Sequence, residues 1–187
     1  MSPTFRTSQP GSEADPSKPH VILVGLPGAG KSTVGAAVAE RLGRTFLDFD
    51  LELERREGRS VGQMFAEDGE GYFRQKEREL TEELRLVGNM ILAPGGGWIT
   101  QSEAVGLLRP PGRLIYLSVG PEAALERLGA ERGQRPLLAT SDPLRELRRL
   151  FDARRAAYES ADAVVDTELF DIQRVIEMVS ELASDGG

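Results

Sequence analysis

The stretch Gly25-Leu26-Pro27-Gly28-Ala29-Gly30-Lys31-Ser32-Thr33 decides the fold. It meets the pattern G-x-x-x-x-G-K-[ST] at every fixed position. Before it, Val21-Ile22-Leu23-Val24 is a short apolar run, mostly β-branched, that reads as a buried strand. After it, residues 34–42 read as a helix. Strand, glycine turn and helix in that order give the pattern physical meaning. The glycines let the backbone curl so that its N–H groups converge, and the helix N-terminus adds partial positive charge there. Lys31 can reach β- and γ-phosphates, and the Ser32 hydroxyl can hold Mg²⁺.

Composition narrows the rest. A chain of 187 residues is most simply one domain with a sizeable core. Apolar residues make up 40% and charged residues 28%, as in a soluble globular protein. The net charge of −7 argues against a nucleic-acid footprint, which needs a basic face. An anionic ligand must therefore meet a locally basic site. With no cysteine there is no disulfide framework, thiolate metal site or cysteine nucleophile, which fits a reducing cytoplasm. No apolar run approaches the ~20 residues of a membrane span. Residues 1–18, with Pro3, Pro10, Gly11 and Pro16, read as a disordered tail, and residues 184–187 as a frayed end. The folded domain is then 19–183. His20 stands just before the first strand, as a structural or solvent-exposed residue.

Between the tails, strand and helix alternate. Strands are expected at 45–49, 90–93, 114–118 and 163–165. Helices are expected at 51–56, 71–87, 122–128, 144–158 and 172–182. Ser60 with Gln63, and Thr100 with Glu103, have the spacing of capping boxes. Such alternation implies a parallel sheet covered on both faces, with ligands at the carboxyl ends of its strands. The glycine turn fixes which edge that is.

Further signals follow the strands. Asp48 and Asp50, one residue apart, would project to the same side if the strand continued through them. One carboxylate can help hold Mg²⁺ and the other can accept a substrate hydroxyl. The bland reading makes Asp50 a helix N-cap, and the active edge of the sheet outweighs it. Pro94-Gly95-Gly96-Gly97-Trp98 allows a ligand to approach the backbone closely. Arg74 has Glu77 one turn later, Arg154 has Tyr158 one turn later, and Arg135 lies in Gly133-Gln134-Arg135-Pro136. Taken singly, each arginine reads more simply as a solvated charge. Together they suit forked contacts with carboxylate or phosphate. The polar segment at about 129–142 is long enough to form a mobile lid.

These residues together resemble the shikimate kinases, small P-loop kinases of the nucleoside-monophosphate-kinase type. The resemblance runs from Val21 to Leu182. It rests on the glycine loop, Asp48-x-Asp50, Gly58-Arg59-Ser60, Phe65, Phe73-Arg74, Glu77, Gly95-Gly96-Gly97, Arg135-Pro136-Leu137-Leu138 and Arg154. It implies an α/β fold, a three-layer sandwich with a five-stranded parallel sheet of order 2-3-1-4-5, and ATP-dependent phosphorylation of the shikimate 3-hydroxyl. It assigns ATP to Gly28, Ala29, Gly30, Lys31, Ser32, Thr33 and Arg135, and Mg²⁺ to Ser32 directly and Asp48 through water. It assigns shikimate to Asp50, Arg74, Gly95, Gly96, Gly97 and Arg154. Catalysis falls to Lys31, Asp50 and Arg135. A cytoplasmic monomer, free of nucleic acid and membrane, is expected.

The chain departs from the family at several points. Phe49 stands where Ser or Thr is usual, Trp98 where smaller residues are common, and Ala156 where Pro is familiar. Polar and basic residues that border adenine are missing from Thr167-Glu168-Leu169-Phe170. Counting leaves Arg154 and Arg155 as rivals for the same carboxylate. Two other readings stand beside the kinase: a sensing module that has lost catalysis, and a kinase of another hydroxy-acid such as gluconate. An intact acidic pair and a tail too short for a DNA-binding domain weigh against the first.

Overall fold

The computed structural model describes residues 18–129 and 135–184. Five parallel strands form one sheet: β1 (Val21–Val24), β2 (Thr45–Asp48), β3 (Met90–Ala93), β4 (Arg113–Ser118) and β5 (Ala163–Asp166). Their order is β2-β3-β1-β4-β5, as the resemblance to the shikimate kinases implies. Val21 pairs with Ile91 on one side and Arg113 on the other, so β1 is central. Every residue of β1 and β3 is buried, because helices cover both faces of the sheet.

Helix α1 (Lys31–Leu42) starts three residues earlier than its apolar pattern suggested. Its first turn belongs to the glycine loop, where polar Lys31, Ser32 and Thr33 hide the helical period. Strand β2 stops at Asp48 rather than residue 49, since Phe49 opens α2 (Phe49–Glu57). Asp48 is itself the N-cap, accepting the Leu51 N–H at 3.3 Å. The strand alternation expected for Asp48 and Asp50 therefore does not apply, and Asp50 is no N-cap. It reaches the site from the first turn of a helix.

The helix expected at 71–87 belongs to a longer element, α3 (Val61–Leu84), that starts just after Ser60. The capping box of Ser60 and Gln63 opens it, as read from the sequence. Gly69 breaks its geometry with φ 82° and ψ 172°, a conformation confined to glycine. The helix also ends at Leu84 rather than 87. A 3₁₀ turn (Trp98–Thr100) leads into α4 (Ser102–Leu108). The second capping box does not form. Gln101 is the N-cap, and the Thr100 hydroxyl instead donates to the Gly97 carbonyl at 2.8 Å. Helices α5 (Pro121–Leu128), α6 (Pro143–Glu159) and α7 (Ile172–Ser184) complete the layers.

His20 is buried and structural. Its Nε2 meets the Leu84 carbonyl at 3.0 Å, and its Nδ1 accepts the Met90 N–H at 3.3 Å. The Met90 donor assigns the proton to Nε2. Lys18, expected in the tail, accepts the Asn89 N–H at 2.9 Å. Residues 1–17, 130–134 and 185–187, which hold most of the expected tail, part of the expected lid and the frayed end, lie outside the described residues. No helix among the described residues is long and apolar enough to cross a membrane.

Candidate active site

A cleft of about 760 Å³ opens at the carboxyl ends of the strands. It is lined by residues 27–34 of the glycine loop, Asp48, Asp50, Arg74, Gly95, Gly96, Gly97, Arg135 and Arg154. Of the candidates named from the sequence, all but Arg155, the rival of Arg154, border this one cavity.

The phosphate end is built from backbone. Gly30 caps α1 with φ 87° and offers no side chain to its N–H groups, leaving them for an anion. Lys31 Nζ folds back on the Gly25 and Leu26 carbonyls at 3.0 and 3.1 Å. Burial first, then the nearby Arg135, push its ammonium down to about 8. The Ser32 hydroxyl donates to Asp48 Oδ2 at 2.5 Å. A hydroxyl and a carboxylate from different elements thus present hard oxygen atoms together, the donor type that Mg²⁺ takes. Among the described residues no cluster of three acidic or histidine side chains could cage a metal.

Asp50 lies across the cleft. Burial pushes its carboxyl up, and Arg135, whose Nη1 sits 3.2 Å from its Oδ2, pulls it down. Arg135 precedes a 3₁₀ turn (Pro136–Leu138) whose Leu138 is buried, so the arginine is anchored on its C-terminal side.

At the far end stand the glycine turn and two arginines. A side chain at Gly97 would overlap the Arg74 guanidinium. A Cβ at Gly95 would lie 2.7 Å from Glu77 Oε1 and 3.2 Å from Asp50 Oδ1. The triple glycine is therefore needed for close approach, more than for flexibility. Arg74 is aimed by Glu77 and Glu70 at 2.5 and 2.9 Å. Arg154 is only 6% exposed, and its Nη1 lies 3.0 Å from where a Gly96 Cβ would stand. Arg155 points outward to Glu159 at 2.7 Å. Of the two rivals, only Arg154 faces the cleft.

Three features had no role assigned to them from the sequence and support the site from beneath or beside it. Glu77 is fully buried, and its Oε1 has no hydrogen-bond partner among the described residues. Its Oε2 accepts from Arg74 and from Gln101 at 2.9 Å. Burial pushes its carboxyl up to about 7 against the pull of Arg74. The three-residue spacing from Arg74 was the available signal. The departures Phe49 and Trp98 pack edge to face, with centroids 6.3 Å apart, and the Trp98 indole donates to Thr81 at 3.0 Å. Arg127 donates to the hydroxyl and carbonyl of Thr167 at 2.7 and 2.6 Å, beside Phe170 and Ile172 on the cleft wall. Nothing in local spacing joins residue 127 to residue 167.

With the geometry established, known proteins add the following. The family model described as shikimate kinase matches residues 27–183. The shikimate kinase of Symbiobacterium thermophilum is 39% identical over 170 residues, covering 90% of this chain and 98% of its own. That of Burkholderia thailandensis is 42% identical over 164 residues, covering 86% and 89%. The structure of shikimate kinase from Acinetobacter baumannii in complex with shikimate superposes with a TM-score of 0.84 at 36% identity, covering 90% and 94%.

Proposed function

The chain belongs to the shikimate kinase family, and on that premise we propose which groups in its cleft transfer the γ-phosphoryl group of ATP to the 3-hydroxyl of shikimate. The observation that carries this reading is one cavity with two opposed ends. A phosphate cradle occupies one end, and a half-buried carboxylate with two arginines occupies the other. Phosphoryl transfer asks for positioning and charge stabilisation above all, and those are what this arrangement supplies.

ATP lies with its phosphates on the N–H groups of Gly28 to Thr33, and Lys31 leaves its carbonyl partners to meet them. Flat surfaces at Arg127 and Phe170 receive the base by stacking. Ser32 and Asp48 would hold Mg²⁺, which when bound neutralises phosphate charge. Arg74 and Arg154 grip the shikimate carboxylate. The N–H groups of Gly96 and Gly97 hold the ring substituents. Asp50 accepts the proton of the 3-hydroxyl as its oxygen bonds to the γ-phosphorus, while the bond from that phosphorus to the β,γ-bridging oxygen breaks and ADP departs. Arg135 exchanges its Asp50 partner for the moving phosphoryl group. The segment at about 129–142 is the lid that excludes water. The protein works as a cytoplasmic monomer, with 19–183 as the catalytic domain. The absence of cysteine from the sequence supports the compartment.

A coupled ADP assay against shikimate, quinate, gluconate and other small hydroxy-acids tests the reading. Turnover should be fastest with shikimate. Preference for gluconate would move the chain to another acceptor, and binding without turnover would make it a sensor.

A further inference from the structure

We propose that Tyr158 is a positioning residue for the acceptor, its phenol forming a relay between the charge of Arg154 on the same helix face and the Gly96–Gly97 peptide that it hydrogen-bonds. The relay rests on the reading of the glycine turn as the acceptor-binding wall.

Tyr158 follows Arg154 by one turn of α6, so both side chains leave the same face of the helix. The ring is fully buried and stacked on Tyr116, with centroids 5.0 Å apart and planes 10° from parallel. Packing alone would accept phenylalanine there. The hydroxyl does more. It donates to the Gly96 carbonyl at 2.8 Å, 62 residues away in sequence. The Arg154 guanidinium stands one helical turn away and its positive charge acts on the same phenol. Burial pushes the phenol up to about 12, so it remains a protonated donor throughout the working pH range.

The carbonyl of Gly96 and the N–H of Gly97 belong to one amide. An acceptor bond at the oxygen raises the double-bond character of C–N and the polarity of the N–H. The N–H groups of Gly96 and Gly97 have no acceptor among the described residues. A cation on Arg154 polarises the phenol, the phenol polarises the amide, and the amide presents a stronger, fixed donor to the cleft. The relay also ties the carboxylate-gripping arginine to the turn, so both contact the acceptor in one register. Donor position matters to this degree because positioning a reactant needs sub-ångström agreement.

Steady-state kinetics on the full chain, varying shikimate and ATP separately, test this. Tyr158→Phe should raise the KM for shikimate about three- to tenfold, the loss of one net hydrogen bond. The KM for ATP should be unchanged. Tyr116→Phe, which keeps the stack, should match the wild type. Replacing Tyr158 by 3-fluorotyrosine, whose phenol is a stronger donor, should lower the shikimate KM. A shikimate KM unmoved in both Tyr158 replacements overturns the relay, whatever the melting temperature does. An equal rise in both KM values overturns it too, as general disruption. A wild-type protein without shikimate-dependent turnover would overturn the functional reading first and the relay with it.

Discussion

At the residue scale the site is a set of charges whose environments make them unequal. Asp50 is a helix residue facing Lys31 and Arg135, and Asp48 is tied to Ser32 and to its own helix. Asp50→Asn should cost ~10²- to 10⁴-fold in kcat, the usual share of a general base, with little effect on ATP binding. Steady-state turnover at saturating substrates reads this directly. Arg154 and Arg155 separate cleanly. Loss of a charged hydrogen bond in Arg154→Ala should weaken shikimate binding about tenfold to a hundredfold, and Arg155→Ala should leave it unchanged. Calorimetric titration of shikimate into both variants measures the contrast. Glu77 has the opposite logic. Its carboxyl, raised from 4.5 to about 7, holds a proton in the folded state that the unfolded chain releases. Stability from this residue is full below pH 4.5 and lost as the pH rises through 7. Glu77→Gln should therefore gain relative to wild type by roughly 2–3 kcal/mol between pH 5 and pH 8, read by denaturant unfolding at each pH.

At the element scale, the fold is a set of helices pinned so that their ends meet the cleft. Helix α3 carries Arg74 and Glu77 in its second part, and Gly69 lets that part change direction. A Cβ at Gly69 would meet no neighbour within 4 Å, so the demand is purely one of backbone conformation. Gly69→Ala should destabilise by about 1–3 kcal/mol, measured by urea unfolding. The far end of α3 is held by His20, which bridges the Leu84 carbonyl to the Met90 N–H. Burial lowers its pKa from 6.5. The unfolded chain thus takes up a proton that the folded one refuses, so stability is full above pH 6.5 and falls below it. His20→Gln, compared with wild type at pH 8 and pH 5, should lose less between the two. Most elements were legible because apolar runs and caps announce them. Ser60 with Gln63 marked the start of α3 correctly. Thr100 with Glu103 misled, since the Thr100 hydroxyl found the Gly97 carbonyl first. Residue 49 was misread as strand because one aspartate, Asp48, both ends β2 and caps α2.

At the scale of the whole molecule, the parallel sheet brings the ends of β1, β2 and β3 side by side and so gathers residues 28–33, 48–50 and 95–97 into one cleft. Alternation and one glycine motif made the parallel sheet and its active edge legible, while the order of the strands came from the family resemblance. The sequence could not reveal partnerships made across the sheet. Tyr158 with Gly96, Arg127 with Thr167 and Phe49 with Trp98 join residues tens of positions apart, and no period or spacing encodes them. The two departures Phe49 and Trp98 looked like separate anomalies and are one contact. The central claim is that this cleft moves phosphate from ATP to the 3-hydroxyl of shikimate. Phosphorus NMR of the full chain incubated with ATP, Mg²⁺ and shikimate tests it most directly. The account predicts ADP and an equal amount of a phosphate ester coupled to the proton on carbon 3 of the ring. ADP forming at the same rate without shikimate, or a folded protein yielding no ester, would contradict it.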